Sequence, residues 1–92
     1  MKVAVIGSGG WGTALALLLH KKGNSITLWS YFEEENRRLA EKLENPLLPQ
    51  IPLPKDFEFT SSLECIRGKK LIIFAVPSFA VRSTAKNAAP FI

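Results

Sequence analysis

Gly7, Gly9 and Gly12 stand in the spacing G-x-G-x-x-G, directly after the apolar run Val3-Ala4-Val5-Ile6 and directly before the Ala/Leu-rich stretch Thr13 to Leu19. The run before the glycines is continuous rather than alternating, which predicts a strand covered on both faces, as in a parallel sheet. The stretch after them predicts a helix from Gly10 or Trp11 to Lys22, packed on the sheet through Ala14, Leu15, Leu17, Leu18 and Leu19 and ended by Gly23 as a left-handed residue. A strand, a tight turn and a helix in that order form the unit whose first helical amides receive a dinucleotide's pyrophosphate. Gly7 then makes the tight exit from the strand, Gly9 leaves room for a phosphate to approach, and Gly12 lets the helix lie close on the sheet. Gly10 and Trp11 supply amides, and Trp11 covers the phosphates from the mouth of the site. The competing reading is a glycine-rich turn with no ligand; the flanking strand and helix favour the dinucleotide.

The remainder continues the same alternation. Ser25 to Trp29 predicts a second strand. Ser30 and Glu33 predict a capping box, with Glu33, Glu34 and Glu35 in the first turn of a second helix and Leu39, Ala40 and Leu43 on its core side. The segment from Glu44 to Lys55 carries Pro46, Pro49, Pro52 and Pro54; it is expected to be a loop, because proline removes a ladder donor and breaks helices. Its P-x-x-P spacing also fits an SH3-type groove, but the leucines and isoleucine among the prolines favour packing on the chain's own domain. Phe57 to Thr60 predicts a short peripheral strand. Ser61 and Glu64 predict a second capping box around a short helix closed by Gly68. Leu71 to Val76 predicts a second buried strand, stopped by Pro77, with Ser78 capping a helix from about Phe79 to Ala88. The sum is an α/β, Rossmann-type parallel sheet in strand order 3-2-1-4, truncated before the remaining strands of such a sheet. In that order the glycine turn and Val76-Pro77-Ser78 face each other across the crevice where the chain reverses direction.

Composition excludes several classes. The chain has 92 residues, 47% hydrophobic and 22% charged, which suits one globular domain and not a disordered segment. No apolar run approaches the ~20 residues that span a bilayer, and the start does not read as a signal peptide. A lone cysteine, Cys65, forbids an internal disulfide and fits a reducing compartment, so a cytoplasmic location is expected. The formal net charge of +4 invites a nucleic-acid reading, yet Lys2, Lys21, Lys22, Lys69 and Lys70 are all predicted at the amino ends of the strands, opposite the glycine turn. A solvated rim is the better account, and no nucleic-acid partner is expected. No spaced Cys/His/Asp set suggests a metal. Cys65 has no histidine partner and reads as structural, while His20 falls at a helix end away from the crevice.

The end of the second strand reads the adenosine ribose, through an acid for the hydroxyls or an arginine for a 2′-phosphate. Here it is Trp29-Ser30-Tyr31-Phe32-Glu33, and the glutamates that follow repel an added phosphate, which tilts the cofactor towards NAD rather than NADP. Tyr31 either stacks on adenine or packs as a rim aromatic on the second helix. Ser78 either reaches the nicotinamide-side ribose or only caps its helix.

With these residues in hand, Gly7 to Ala16 (Gly-Ser-Gly-Gly-Trp-Gly-Thr-Ala-Leu-Ala) resembles the extended glycine motif of the NAD(P)-dependent glycerol-3-phosphate dehydrogenases. Leu48-Pro49 with Ile51 to Pro54, and Ala75-Val76-Pro77-Ser78, match that family in the same order. The resemblance implies that Gly10, Trp11 and Tyr31 contact an NAD(P) cofactor. It also implies that residues 1–92 are a partial nucleotide-binding domain, with the family's helical substrate domain outside this chain. The full-length enzyme is then expected to be a homodimer that takes a small phosphorylated substrate, interconverts dihydroxyacetone phosphate and glycerol 3-phosphate, and feeds phospholipid synthesis. Many bacterial members carry a basic residue where Tyr31 stands, and Tyr31-Phe32-Glu33-Glu34 is closer to the NAD-using branch. No lysine here matches the family's catalytic lysines, so no catalytic residue is assigned and residues 1–92 alone are expected to be inactive. The alternatives are a 3-hydroxyacid or ketopantoate-type dehydrogenase sharing this half, and a stand-alone NAD(H)-sensing module.

Overall fold

A computed structural model describes the backbone of residues 1–46 and 48–92, with side chains for all of these except residues 48–50 and 78. The framework is a four-stranded parallel sheet in which β1 (Lys2–Ile6) lies between β2 (Ser25–Trp29) and β6 (Leu71–Phe74), and β5 (Glu58–Thr60) adds to the far side of β2. This is the expected 3-2-1-4 order. Val3 to Ile6 pair with Ile26 to Trp29 on one side and with Leu71 to Phe74 on the other, so β1 is the centre of the molecule and its four apolar residues are wholly buried.

Successive β1 side chains point to opposite faces and so seed two cores. Val3 and Val5 join Ile26, Leu28, Ala16, Leu39, Leu53 and Phe57. Ala4 and Ile6 join Trp29, Ile66 and Ala88 on the other face. Helix α1 (Gly10–Lys21) and helix α2 (Glu33–Lys42) precede and follow β2, whereas α3 (Ser78–Ala88) follows β6. Ala16 of α1 and Leu39 of α2 belong to the first core, and Ala88 of α3 to the second. The chain therefore winds away from β1 in one direction, then crosses back to add β6 on its other side. The carboxyl ends of β1 and β6 open on that switch point.

Several local expectations are corrected. The buried stripe of α1 is Gly12, Thr13 and Ala16, not the leucines as a set. Ala14 and Leu18 face solvent, while Leu17 and Leu19 flank the core. Small residues lie directly over the sheet because the helix approaches it closely. Ser30 does not cap α2; it is buried, its N–H donates to the Thr60 carbonyl at 2.9 Å, and Phe32 holds the N-cap position without a side-chain bond. Pairing with β5 claims Ser30 before the helix begins. Ala40 is exposed, one position off the stripe that buries Leu39. The second capping residue is Ser62 rather than Ser61: its hydroxyl accepts from the Glu64 N–H at 3.2 Å, at the head of a 3-10 turn Leu63–Ile66. Helix α3 starts one residue early, with Pro77 at the N-cap position.

Two corrections are larger. The proline segment is not a plain loop, because β3 (Glu44–Asn45) and β4 (Leu48–Pro52) pair antiparallel. A two-stranded ribbon consists entirely of edges, where a missing proline N–H costs little. The ribbon is tied down by Leu53, buried in the first core, whose N–H donates to the Leu43 carbonyl at 2.7 Å. The Leu48-Pro49 part of the motif match falls on side chains outside those described. Strand β6 ends at Phe74, and its residues are half-buried rather than enclosed, because β6 is the outermost strand on its side of the sheet. Among the described residues no helix is long and apolar enough to cross a membrane.

Candidate functional site

A cleft of about 620 Å³ lies over the carboxyl ends of β1, β2 and β6. Its floor is the glycine turn. Gly7 leaves β1 with φ of +130°, a conformation that side chains rarely adopt, and donates its N–H to the Trp29 carbonyl at 2.9 Å. A Cβ added to Gly7 would sit 2.6 Å from the Ala75 carbonyl oxygen, and one on Gly12 would run into the Gly7 carbonyl. These two glycines are required by backbone packing. Gly9 differs: its φ of −65° is open to any residue, and an added Cβ would meet no protein atom within 4 Å. The space above Gly9 belongs to the cleft.

Helix α1 begins at Gly10, and its first internal bond runs from the Thr13 N–H to the Gly9 carbonyl at 2.9 Å. The amides of Gly10, Trp11 and Gly12 precede that first bond and have no helical partner. No acidic residue occupies the first turn of α1, so its positive end is uncompensated from within. Trp11, 70% exposed, stands at the cleft margin.

The second wall is the β2–α2 connection. Tyr31 is 73% exposed and stands edge-on to Trp29 and Phe32, at centroid separations of 6.3 and 5.1 Å. Of the three glutamates opening α2, only Glu35 lines the cleft, and its Oε1 accepts a 2.5 Å bond from the Ser8 hydroxyl. The third wall is Phe74 to Pro77, held to the first by the Ala75 N–H donating to the Ile6 carbonyl at 2.8 Å.

The structure thus gathers Gly7, Gly9, Gly10, Trp11, Gly12, Tyr31, Val76 and Pro77 around one cleft. Ser78 follows them in the chain at the start of α3, and the role expected of its hydroxyl lies outside the described side chains. The residue pattern gives no signal for Ser8 or Phe32 and does not single out Glu35 among its neighbours. Ser8 is the variable residue inside the glycine motif, and only helical phase separates Glu35 from Glu33 and Glu34. His20 is remote, engaging Asp56 at 2.8 Å beside Phe57. Cys65 is half-buried on the 3-10 turn that precedes β6, and burial pushes its thiol pKa up, consistent with an inert thiol.

The family described as NAD-dependent glycerol-3-phosphate dehydrogenase N-terminus matches residues 2–92. A glycerol-3-phosphate dehydrogenase [NAD(P)+] of Fusobacterium nucleatum is 46% identical over 89 residues, covering 95% of this chain and 27% of that protein. The crystal structure of glycerol-3-phosphate dehydrogenase from Coxiella burnetii superposes with a TM-score of 0.90 at 33% identity, over 99% of this chain and 29% of the other. The enzyme of the same name from Saccharomyces cerevisiae, at 22% identity, shares the fold with a TM-score of 0.88 over 100% of this chain and 30% of its own. The chain therefore spans less than a third of the length of these relatives.

Proposed function

This chain belongs to the NAD-dependent glycerol-3-phosphate dehydrogenase N-terminal family, and on that premise we propose that its cleft binds a nicotinamide dinucleotide for hydride transfer between glycerol 3-phosphate and dihydroxyacetone phosphate. The bound nicotinamide supplies or accepts the hydride. What residues 1–92 contribute is binding and orientation. Gly9, Gly10 and Trp11 present amides to the pyrophosphate, Gly9 leaves it room, and Trp11 covers it. Tyr31, with Phe32 beside it, offers a ring to the adenine. Val76, Pro77 and Ser78 flank the nicotinamide half, on the opposite wall. The substrate site, the catalytic lysines and the homodimer contact are assigned to the longer protein that the relatives represent.

The observation that carries this reading is the pairing of open space above Gly9 with an uncompensated helix start beneath it. Such a site favours an anion approaching the backbone closely. The same cleft favours NAD over NADP. Glu35 borders it, held by Ser8, and a carboxylate there accepts a ribose hydroxyl and repels a 2′-phosphate.

Calorimetric titration with NADH and NADPH tests both statements. Saturable NADH binding is expected, with NADPH weaker by about tenfold or more, equivalent to ~1.4 kcal/mol. Glu35→Gln is expected to narrow that gap. No binding of either dinucleotide would overturn the cofactor reading, whereas equal affinities would overturn only the role of Glu35.

A further inference from the structure

A trans peptide places a carbonyl and the following N–H on opposite sides of the chain. The direction of the Ser8 carbonyl therefore decides where the Gly9 N–H points. Among the described residues no peptide bond is cis, and the Ser8 carbonyl is turned inward, away from solvent, onto two donors. The Asn45 side-chain amide reaches it at 2.8 Å and the Thr13 hydroxyl at 3.2 Å. Asn45 Nδ2 also donates to Thr13 Oγ1 at 2.8 Å, which closes a three-membered network with both amide hydrogens and both carbonyl lone pairs in use. Asn45 and Thr13 are almost wholly buried. Among the described residues no protein acceptor takes the Gly9 N–H, and Ser8 and Gly9 both border the cleft.

We propose that Asn45 is a positioning residue for the dinucleotide site, holding the Ser8–Gly9 peptide so that the Gly9 N–H faces the pyrophosphate. Rotation of this peptide changes ψ of Ser8 and φ of Gly9, and because a glycine takes either sign of φ at little cost, only the grip on the Ser8 carbonyl opposes it. The two residues are 37 apart in the chain, and the proline ribbon brings them together. Asn45 sits in β3 opposite Leu48, and the ribbon is anchored in the core through Leu53. The proline segment, otherwise without a part in the site, is what carries the brace. Ser8 is consequently gripped twice, through its carbonyl by Asn45 and through its hydroxyl by Glu35.

The proposal rests on the dinucleotide reading above, and its test separates the two. NADH affinity and the ¹⁵N–¹H resonance of Gly9 are measured in the wild-type protein, Asn45→Ala, Thr13→Val and Thr13→Ser. Asn45→Ala and Thr13→Val are each expected to weaken NADH binding by about tenfold or more and to move the Gly9 resonance in the free protein. Thr13→Ser keeps the hydroxyl and is expected to bind within about twofold of wild type, a rescue that a simple loss of packing would not produce. A folded Asn45→Ala or Thr13→Val protein with wild-type NADH affinity overturns the brace. If Asn45→Ala does not fold, the Thr13 pair decides. Should the wild type bind no dinucleotide, the cofactor reading falls, and an unmoved Gly9 resonance in a folded variant then overturns the brace independently.

Discussion

Helices α1 and α2 both begin at the rim of the same cleft, and their first turns are opposite in charge. Gly9 holds the N-cap of α1 and no acid follows it; Phe32 holds that of α2, and Glu33, Glu34 and Glu35 follow at once. Neither helix has a side-chain cap bond. The second helix compensates its own dipole, with negative charge in its first turn. The first leaves that compensation to something outside the chain. A helix that forgoes an easy stabilisation, beside a space that no side chain fills, is organised for an anionic ligand. A start on the same cleft that is already satisfied is organised to refuse one. On the proposed reading the two starts divide the dinucleotide between them, the phosphate bridge at α1 and the uncharged sugar edge at α2.

The contrast is open to experiment at three levels of severity. The largest expected effect comes from destroying the turn that creates the α1 start. Gly7→Ala forces a side chain into φ of +130° and against the Ala75 carbonyl, and is expected to destabilise the fold by about 3 kcal/mol or more, read by urea unfolding.

The sharper test makes α1 resemble α2. Gly9→Asp places an acid at an N-cap position where its Cβ meets no protein atom. Aspartate is a favoured N-cap residue, so the melting temperature is expected to hold or rise slightly. The new charge and bulk stand in the phosphate space, and NADH affinity is expected to fall about a hundredfold, or ~2.7 kcal/mol. Retained binding would dissolve the distinction between the two starts. The smallest effect is on α2: Glu34→Gln removes one exposed charge of three. It is expected to cost about 0.3 kcal/mol in low salt and less in high salt, with NADH affinity unchanged.

A second pair shows how far residue patterns reach. Val3-Ala4-Val5-Ile6 and Leu71-Ile72-Ile73-Phe74 read alike, as continuous apolar runs of buried strands. In the structure the first is fully enclosed and the second is half-exposed. Apolar character identifies a strand suited to burial; whether it is enclosed depends on what lies beside it. Strand β1 has a neighbour on each side and β6 on one. The caps show the same limit at shorter range. Ser30 and Ser61 carry the right residues at the right spacing from Glu33 and Glu64, yet a competing bond to Thr60 claims Ser30, and the second helix start falls at Ser62.

What the residues determine unaided is the succession of strands and helices, the parallel order of the sheet and the place of the glycine cradle. Each of these follows from patterns a few residues long and from the fixed handedness of the crossovers. Tertiary structure alone decided which glutamate faces the cleft, how the proline segment folds into a ribbon, and that Asn45 reaches across to the Ser8 carbonyl. The physical reason is distance along the chain: a hydrogen bond between residues 37 apart has no local periodicity to announce it. It exists only once the sheet, its two helices and the anchored ribbon have converged on one point.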